Sequence, residues 1–99
     1  MTGTVLGEDE VLRALGAPDG PKWELAGGQL VKSVACGDFR RALAFVNDVG
    51  RLAEEANHHP DIDIRYNRVT LALMTHDAGG ITARDLALAR AIDEVTPTS

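Results

Sequence analysis

Cysteine is nearly absent: Cys36 is the only one in 99 residues, so neither an intramolecular disulfide nor a multi-cysteine metal site can form. That favours a reducing compartment, and a cytoplasmic location is expected. Basic residues are scarce as well. Ten Lys and Arg face 15 Asp and Glu, a formal charge of −5, and no basic run occurs, which argues against nucleic acid and anionic membrane as partners. No stretch approaches the ~20 apolar residues of a membrane span, and Met1 to Glu10 lacks the basic flank and apolar run of a secretion signal. Aromatic residues amount to only 4%, leaving the core to Leu, Val, Ile and Ala. So small and aromatic-poor a core gains stability by association; a homodimer or homotetramer is expected.

The residues that are present fit one domain, 1–99. Glu8 to Leu15 starts acidic and carries Val11, Leu12 and Leu15 at helical spacing, and Gly16 and Pro18 stop it. Trp23-Glu24-Leu25 and Leu30 to Val34 flank Gly27-Gly28, the pattern of a hairpin, with Trp23 a core or interface anchor. From Asp38, a plausible N-cap, to about Asn57 the period is helical. Phe39, Leu43, Val46, Gly50 and Ala53 form one stripe, flanked by Ala42 and Val49, and Phe45 and Leu52 extend it to about half the circumference, wider than the ~100° one sheet needs. Phe45 and Leu52 are therefore candidates for a subunit interface, and the glycine at 50 suggests a close backbone approach. Pro60 disfavours helix at His59, so the helix is expected to end in the histidine pair.

Beyond it, Asp61 to Tyr66 alternates like a half-buried strand. Asn67-Arg68 can turn the chain, Val69 to Thr75 alternates again, and Asp77 to Gly80 is a loop. Thr82 and Asp85 fit an N-cap with an acidic residue at the third helical position, and Ile81, Leu88, Ile92 and Val95 give that helix its buried stripe. Thr96 to Ser99 is expected to fray. The order α-β-β-α-β-β-α with short turns predicts an α+β fold: four largely antiparallel strands with helices on one face.

All three histidines fall in two places, Glu54-Glu55-Ala56-Asn57-His58-His59-Pro60 and Met74-Thr75-His76-Asp77. Histidine is the side chain that exchanges protons near neutrality, which points to proton-transfer chemistry. Adjacent side chains in extended chain point oppositely, so His58 and His59 line two walls of a pocket rather than meet at one atom, and His76 faces the same space if the last strand returns beside them. Three imidazoles can hold zinc. The adjacent pair is awkward for one tetrahedral ion, however, and no His-x-x-x-His or His-x-His spacing occurs, so metal-free acid–base catalysis is preferred. Glu54 lies one turn before His58 and can share its side of the helix. Asp85 either caps its helix or turns inward to orient a histidine or meet a substrate amide; the pattern leaves both open. Since the histidines sit at element ends, truncating any of them is expected to cost about 1 kcal/mol or less.

Glu54-x-x-x-His58-His59-Pro60, Tyr66-Asn67-x-Val69 and Thr75-His76-Asp77-x-x-Gly80-Ile81-Thr82-x-x-Asp85 together resemble the signature of the pterin-4a-carbinolamine dehydratases, and with Trp23, Phe39 and Phe45-Val46 the resemblance runs from about Glu8 to Val95. It implies an oligomeric α+β subunit that removes water from the 4a-hydroxypterin left by aromatic amino acid hydroxylases, without metal or other cofactor. The family's catalytic residues fall on His58, His59, His76 and Asp85, and its pterin-contacting positions on Glu54, Pro60, Thr75 and Asp77. One departure is Ile62, where many members carry an aromatic residue. The same resemblance allows two other readings, a dehydratase-like scaffold or dimerisation cofactor for a protein partner, and an enzyme for a related pterin.

Overall fold

The structure, a computed structural model, describes residues 4–97. Its elements follow the expected order: α1 (Glu8–Gly16), β1 (Glu24–Ala26), β2 (Gln29–Ala35), α2 (Phe39–Ala56), β3 (Asp61–Arg65), β4 (Arg68–Leu73) and α3 (Ala83–Val95). The strands form one antiparallel sheet ordered β1-β2-β4-β3. Register explains why it has a dry and a wet face. Leu30 pairs with Leu73 and Val34 with Val69, so these residues and Leu71 project to one side and are buried. Ser33 opposite Thr70 and Asp63 opposite Thr70 mark the other, polar side. The helices cover the dry face, contributing Val11 from α1, Ala42, Phe45, Val49 and Ala53 from α2, and Leu86, Leu88, Ala89 and Ile92 from α3.

Trp23 is a core anchor. It is buried, and its Nε1–H donates to Asp93 Oδ1 at 2.8 Å, while the Lys22 N–H and Lys32 Nζ donate to the same carboxylate at 2.7 and 2.9 Å. Asp93 therefore ties the end of α3 to the start of the sheet. Among the described residues no helix is long and apolar enough to cross a membrane.

Several expected details differ. The core face of α2 is Ala42, Phe45, Val49 and Ala53; Phe45 is 2% exposed and is core, not interface, whereas Phe39 and Leu43 are 46% and 43% exposed. The apolar arc was wide enough to hold two faces, and periodicity alone did not say which one meets the sheet. Among the described residues no heavy atom outside the adjoining helix backbone comes within 4 Å of a Cβ built on Gly50, so the close approach expected there has no partner among them. The helix stops at Ala56, ahead of the histidines, because Asn57 takes the left-handed conformation (φ 49°, ψ 44°). β3 is an edge strand, so its alternation does not translate into burial: Ile62 remains 40% exposed. The β3–β4 turn is Tyr66-Asn67, one residue earlier than expected, and β4 ends at Leu73, after which Thr75 makes only an isolated bridge to Gly80. Thr98 and Ser99 of the tail lie outside the described residues; Thr96 is fastened, its hydroxyl donating to Ile92 O at 2.8 Å.

Candidate active site

Three chain segments meet beyond the end of α2. The first is the α2 terminus. Asp38 caps the other end, accepting from the Arg41 N–H at 2.8 Å, and Asn57 closes this one, a role asparagine fills because it tolerates the left-handed region better than most residues. The His58 N–H then donates back to Ala53 O at 3.0 Å, and Pro60 leads the chain into β3.

The second segment is the loop after β4. The Thr75 N–H donates to Gly80 O at 2.9 Å, closing a turn that carries His76 and Asp77 on its exposed tip. A Cβ at Gly80 would stand 2.9 Å from Val5 Cγ1, so a side chain there would have to displace the Val5 side chain.

The third segment is the start of α3. The Thr82 N–H donates to Asp85 Oδ2 at 2.9 Å and Thr82 Oγ1 accepts from the Arg84 N–H at 3.2 Å. The capping role of Asp85 is therefore real, and so is the inward one. Asp85 is 0% exposed, and its Oδ1 lies 2.5 Å from His58 Nε2. Both readings that the pattern left open hold at once because a carboxylate has two oxygens.

The hydroxyl network makes Asp85 Oδ2 an acceptor, and in an ionised carboxylate Oδ1 accepts as well. Thr75 Oγ1–H donates to Asp85 Oδ2 at 2.8 Å, so at the 2.8 Å contact between the two threonine oxygens Thr82 Oγ1–H must be the donor. Asp85 accepts throughout, as an ionised carboxylate does. Nε2 of His58 then carries the proton, and Nδ1 is the ring nitrogen left for other work. Among the described residues every buried side-chain polar atom has a partner, as a stable low-dielectric site requires.

His59 turns the opposite way, as expected of a neighbour on a bend. It is exposed, and Nε2 lies 2.5 Å from Glu54 Oε2. Glu54 thus serves His59, not His58, because the left-handed residue at 57 breaks the helical i, i+4 relation before the histidines are reached. His76 is exposed and makes no hydrogen bond to a protein side chain among the described residues. His58, His59 and His76 nonetheless line one cavity of about 180 Å³, together with Thr75, Asp77 and Met74, and with Asn57 and Arg84. Pro60 is half-buried and, like Glu54, is not part of this lining.

Sequence reasoning missed Arg84 and Asn57, and it saw Thr82 only as a cap. A basic residue in a helical first turn, where acidic ones are favoured, was the available signal for Arg84. Among the described residues no three His, Cys, Asp or Glu side chains converge as a metal centre needs. Cys36 stands apart, its N–H donating to Asn67 O at the β3–β4 turn, and burial pushes its thiol above the ordinary value.

A helix-backed antiparallel sheet with a histidine-lined cavity, braced from behind by a buried carboxylate, defines a small α+β protein organised around imidazoles. The chain belongs to the pterin 4 alpha carbinolamine dehydratase family, whose profile matches residues 4–95; these are dehydratases, hence hydro-lyases. A Thermomicrobium roseum relative is 61% identical over 75 residues, covering 76% of this chain and 81% of its own length, and one from Nocardia farcinica is 45% identical over 95 residues, covering 96% and 98%. Both are provisionally named pterin-4-alpha-carbinolamine dehydratases. Among solved structures, a transcriptional coactivator/pterin dehydratase from Brucella melitensis superposes with a TM-score of 0.85 at 32% identity, covering 95% of this chain and all of that one. A pterin dehydratase-like protein described as a RuBisCO assembly factor in the alpha-carboxysome superposes with a TM-score of 0.65 at 26% identity, covering 78% and 92%.

Proposed function

We propose that this chain dehydrates 4a-hydroxytetrahydrobiopterin to quinonoid dihydropterin and water by histidine acid–base catalysis, and so supports the recycling of the pterin used by an aromatic amino acid hydroxylase. The observation that carries the reading is that all three histidines line one cavity, with the ring of His58 oriented from behind by Asp85. The reaction breaks the C4a–O bond and forms a C4a=N5 double bond. One group gives a proton to the departing hydroxyl, which leaves as water, and another takes the proton from N5; nothing else enters or leaves. Two imidazoles on different walls meet that need. His58 offers Nδ1, and His76 offers a ring held by no protein side chain among the described residues. His59, paired with Glu54, bounds the remaining wall, Asp77 supplies a polar contact to the pterin, and Thr75, its hydroxyl committed to Asp85, lines the cavity. At about 180 Å³ the cavity is smaller than the roughly 300–1,000 Å³ of pockets that enclose a whole ligand, so it takes the reacting edge of the bicycle. Pro60 and Glu54 act through the histidines they flank.

The working form is a homodimer or homotetramer in the cytoplasm. Phe39 and Leu43 lie exposed on α2, in line with half-buried Val46 and Gly50, an apolar stripe that leaves those two side chains largely uncovered among the described residues. Stopped-flow dehydration of synthetic 4a-hydroxytetrahydropterin tests the activity, with acceleration over the spontaneous reaction expected. The RuBisCO assembly factor of similar fold keeps a second reading open, a scaffold that binds a protein partner. That reading prevails if the chain fails to accelerate the dehydration.

A further inference from the structure

Arg84 stands where a helix disfavours a cation. It is the second residue of α3, beside the positive pole of the dipole, and among the described residues it forms no ion pair. What it reaches is the far end of α2, where its Nη2 donates to the Asn57 carbonyl at 2.9 Å, at that helix's negative pole. The same peptide unit is held from its other side, because the His58 N–H donates to Ala53 O at 3.0 Å. One residue further along each element, Asp85 holds His58 Nε2 at 2.5 Å. Two consecutive side chains of α3 therefore grip two consecutive residues at the end of α2, one by its backbone and the other by its ring.

An imidazole tethered through a single nitrogen still swings about that bond. Fixing the peptide that precedes its Cα removes the swing and aims Nδ1. Arg84 borders the histidine-lined cavity and also the groove of about 390 Å³ between α2 and α3, and His58 borders both; the guanidinium is placed to hold the ring between them.

We infer that Arg84 is a positioning residue for the dehydration, fixing the 57–58 peptide so that His58 presents Nδ1 to the substrate; the inference rests on the proton-transfer role proposed for His58. Arg84→Met and Arg84→Lys in the full chain test it with two readouts. In steady-state kinetics, Arg84→Met is expected to lower kcat about 10- to 100-fold, the scale of a misplacement near 1 Å, with KM within about threefold. Arg84→Lys keeps a charged donor and is expected to recover most of the loss. Unchanged kcat in Arg84→Met, or a raised KM at full kcat, would overturn the inference, the latter by making Arg84 a substrate contact. The second readout needs no activity. Amide exchange by NMR should show the His58 N–H opening at least about tenfold faster in Arg84→Met while core amides of β4 keep their protection. Equal acceleration at all amides would mean a purely structural role and would also overturn it. Should the wild type prove inactive, the dehydratase reading fails, and the exchange data still decide whether Arg84 holds this peptide.

Discussion

Asp85 is the residue on which the site turns. It accepts from His58, Thr75 and the Thr82 backbone, so Asp85→Asn replaces an accepting oxygen by a donating amide in a place with only donors. Either His58 loses its tautomer or a cap bond breaks, and turnover is expected to fall roughly 10²- to 10⁴-fold with the fold kept; circular dichroism beside kinetics checks both halves. The network also revises the cost of truncating the histidines. His59 and His76 are exposed, and alanine there should change stability by about 1 kcal/mol or less. His58 is only 7% exposed, and alanine there strands a buried carboxylate, so urea unfolding should show a loss of roughly 2–4 kcal/mol. Equal losses at all three positions would contradict the burial of the His58–Asp85 pair. Cys36 gives a pH signature. Its thiol is raised by burial, so the native state holds the proton more tightly than the unfolded chain. Stability from this group is complete below the unfolded thiol value and falls as pH climbs through the folded one. Thiol reagents should accordingly react far more slowly with the native protein than in urea.

Among the elements, α2 carries most of what the sequence made legible and most of what it hid. Its N-cap, Asp38, was readable because its side chain does the capping, and Thr82 with Asp85 announced α3 in the same way. The strands were legible as existing, less so as bounded, since β3 alternates without being buried at the edge of the sheet. The sequence could not show which half of the α2 apolar arc faces the sheet, because that is decided by the packing of β2 and β4 rather than by the helix. Nor could it show that Asn57 would redirect the histidines, giving Glu54 to His59 and Asp85 to His58. Gly50 tests the outer half. With open space at its Cβ, Gly50→Ala should strengthen the helix of the lone chain by about 1 kcal/mol. If a second copy packs on this stripe, the same change weakens association, as Leu43→Arg should do more strongly. Sedimentation equilibrium separates the two effects, and association unaffected by both variants would remove the stripe as an interface.

For the whole molecule, the same cavity has to do its chemistry with the groups the chain supplies. Exhaustive chelation is expected to leave turnover unchanged, and activity lost with chelator and restored by zinc would replace the acid–base account with a metal-dependent one. The α+β frame itself does not choose between enzyme and scaffold, since relatives of similar fold are described in both roles and function resides in the site rather than the fold. The cavity in which His58, His59 and His76 meet is the place to test which role this chain has. The most direct test is stopped-flow dehydration of 4a-hydroxytetrahydropterin by the wild type and by His76→Ala, a change at an exposed loop tip away from the core. The account predicts that the wild type accelerates the reaction and that His76→Ala loses roughly 10²- to 10⁴-fold of its rate while remaining folded. A wild type no faster than the spontaneous reaction, or a His76→Ala variant as fast as the wild type, would contradict it.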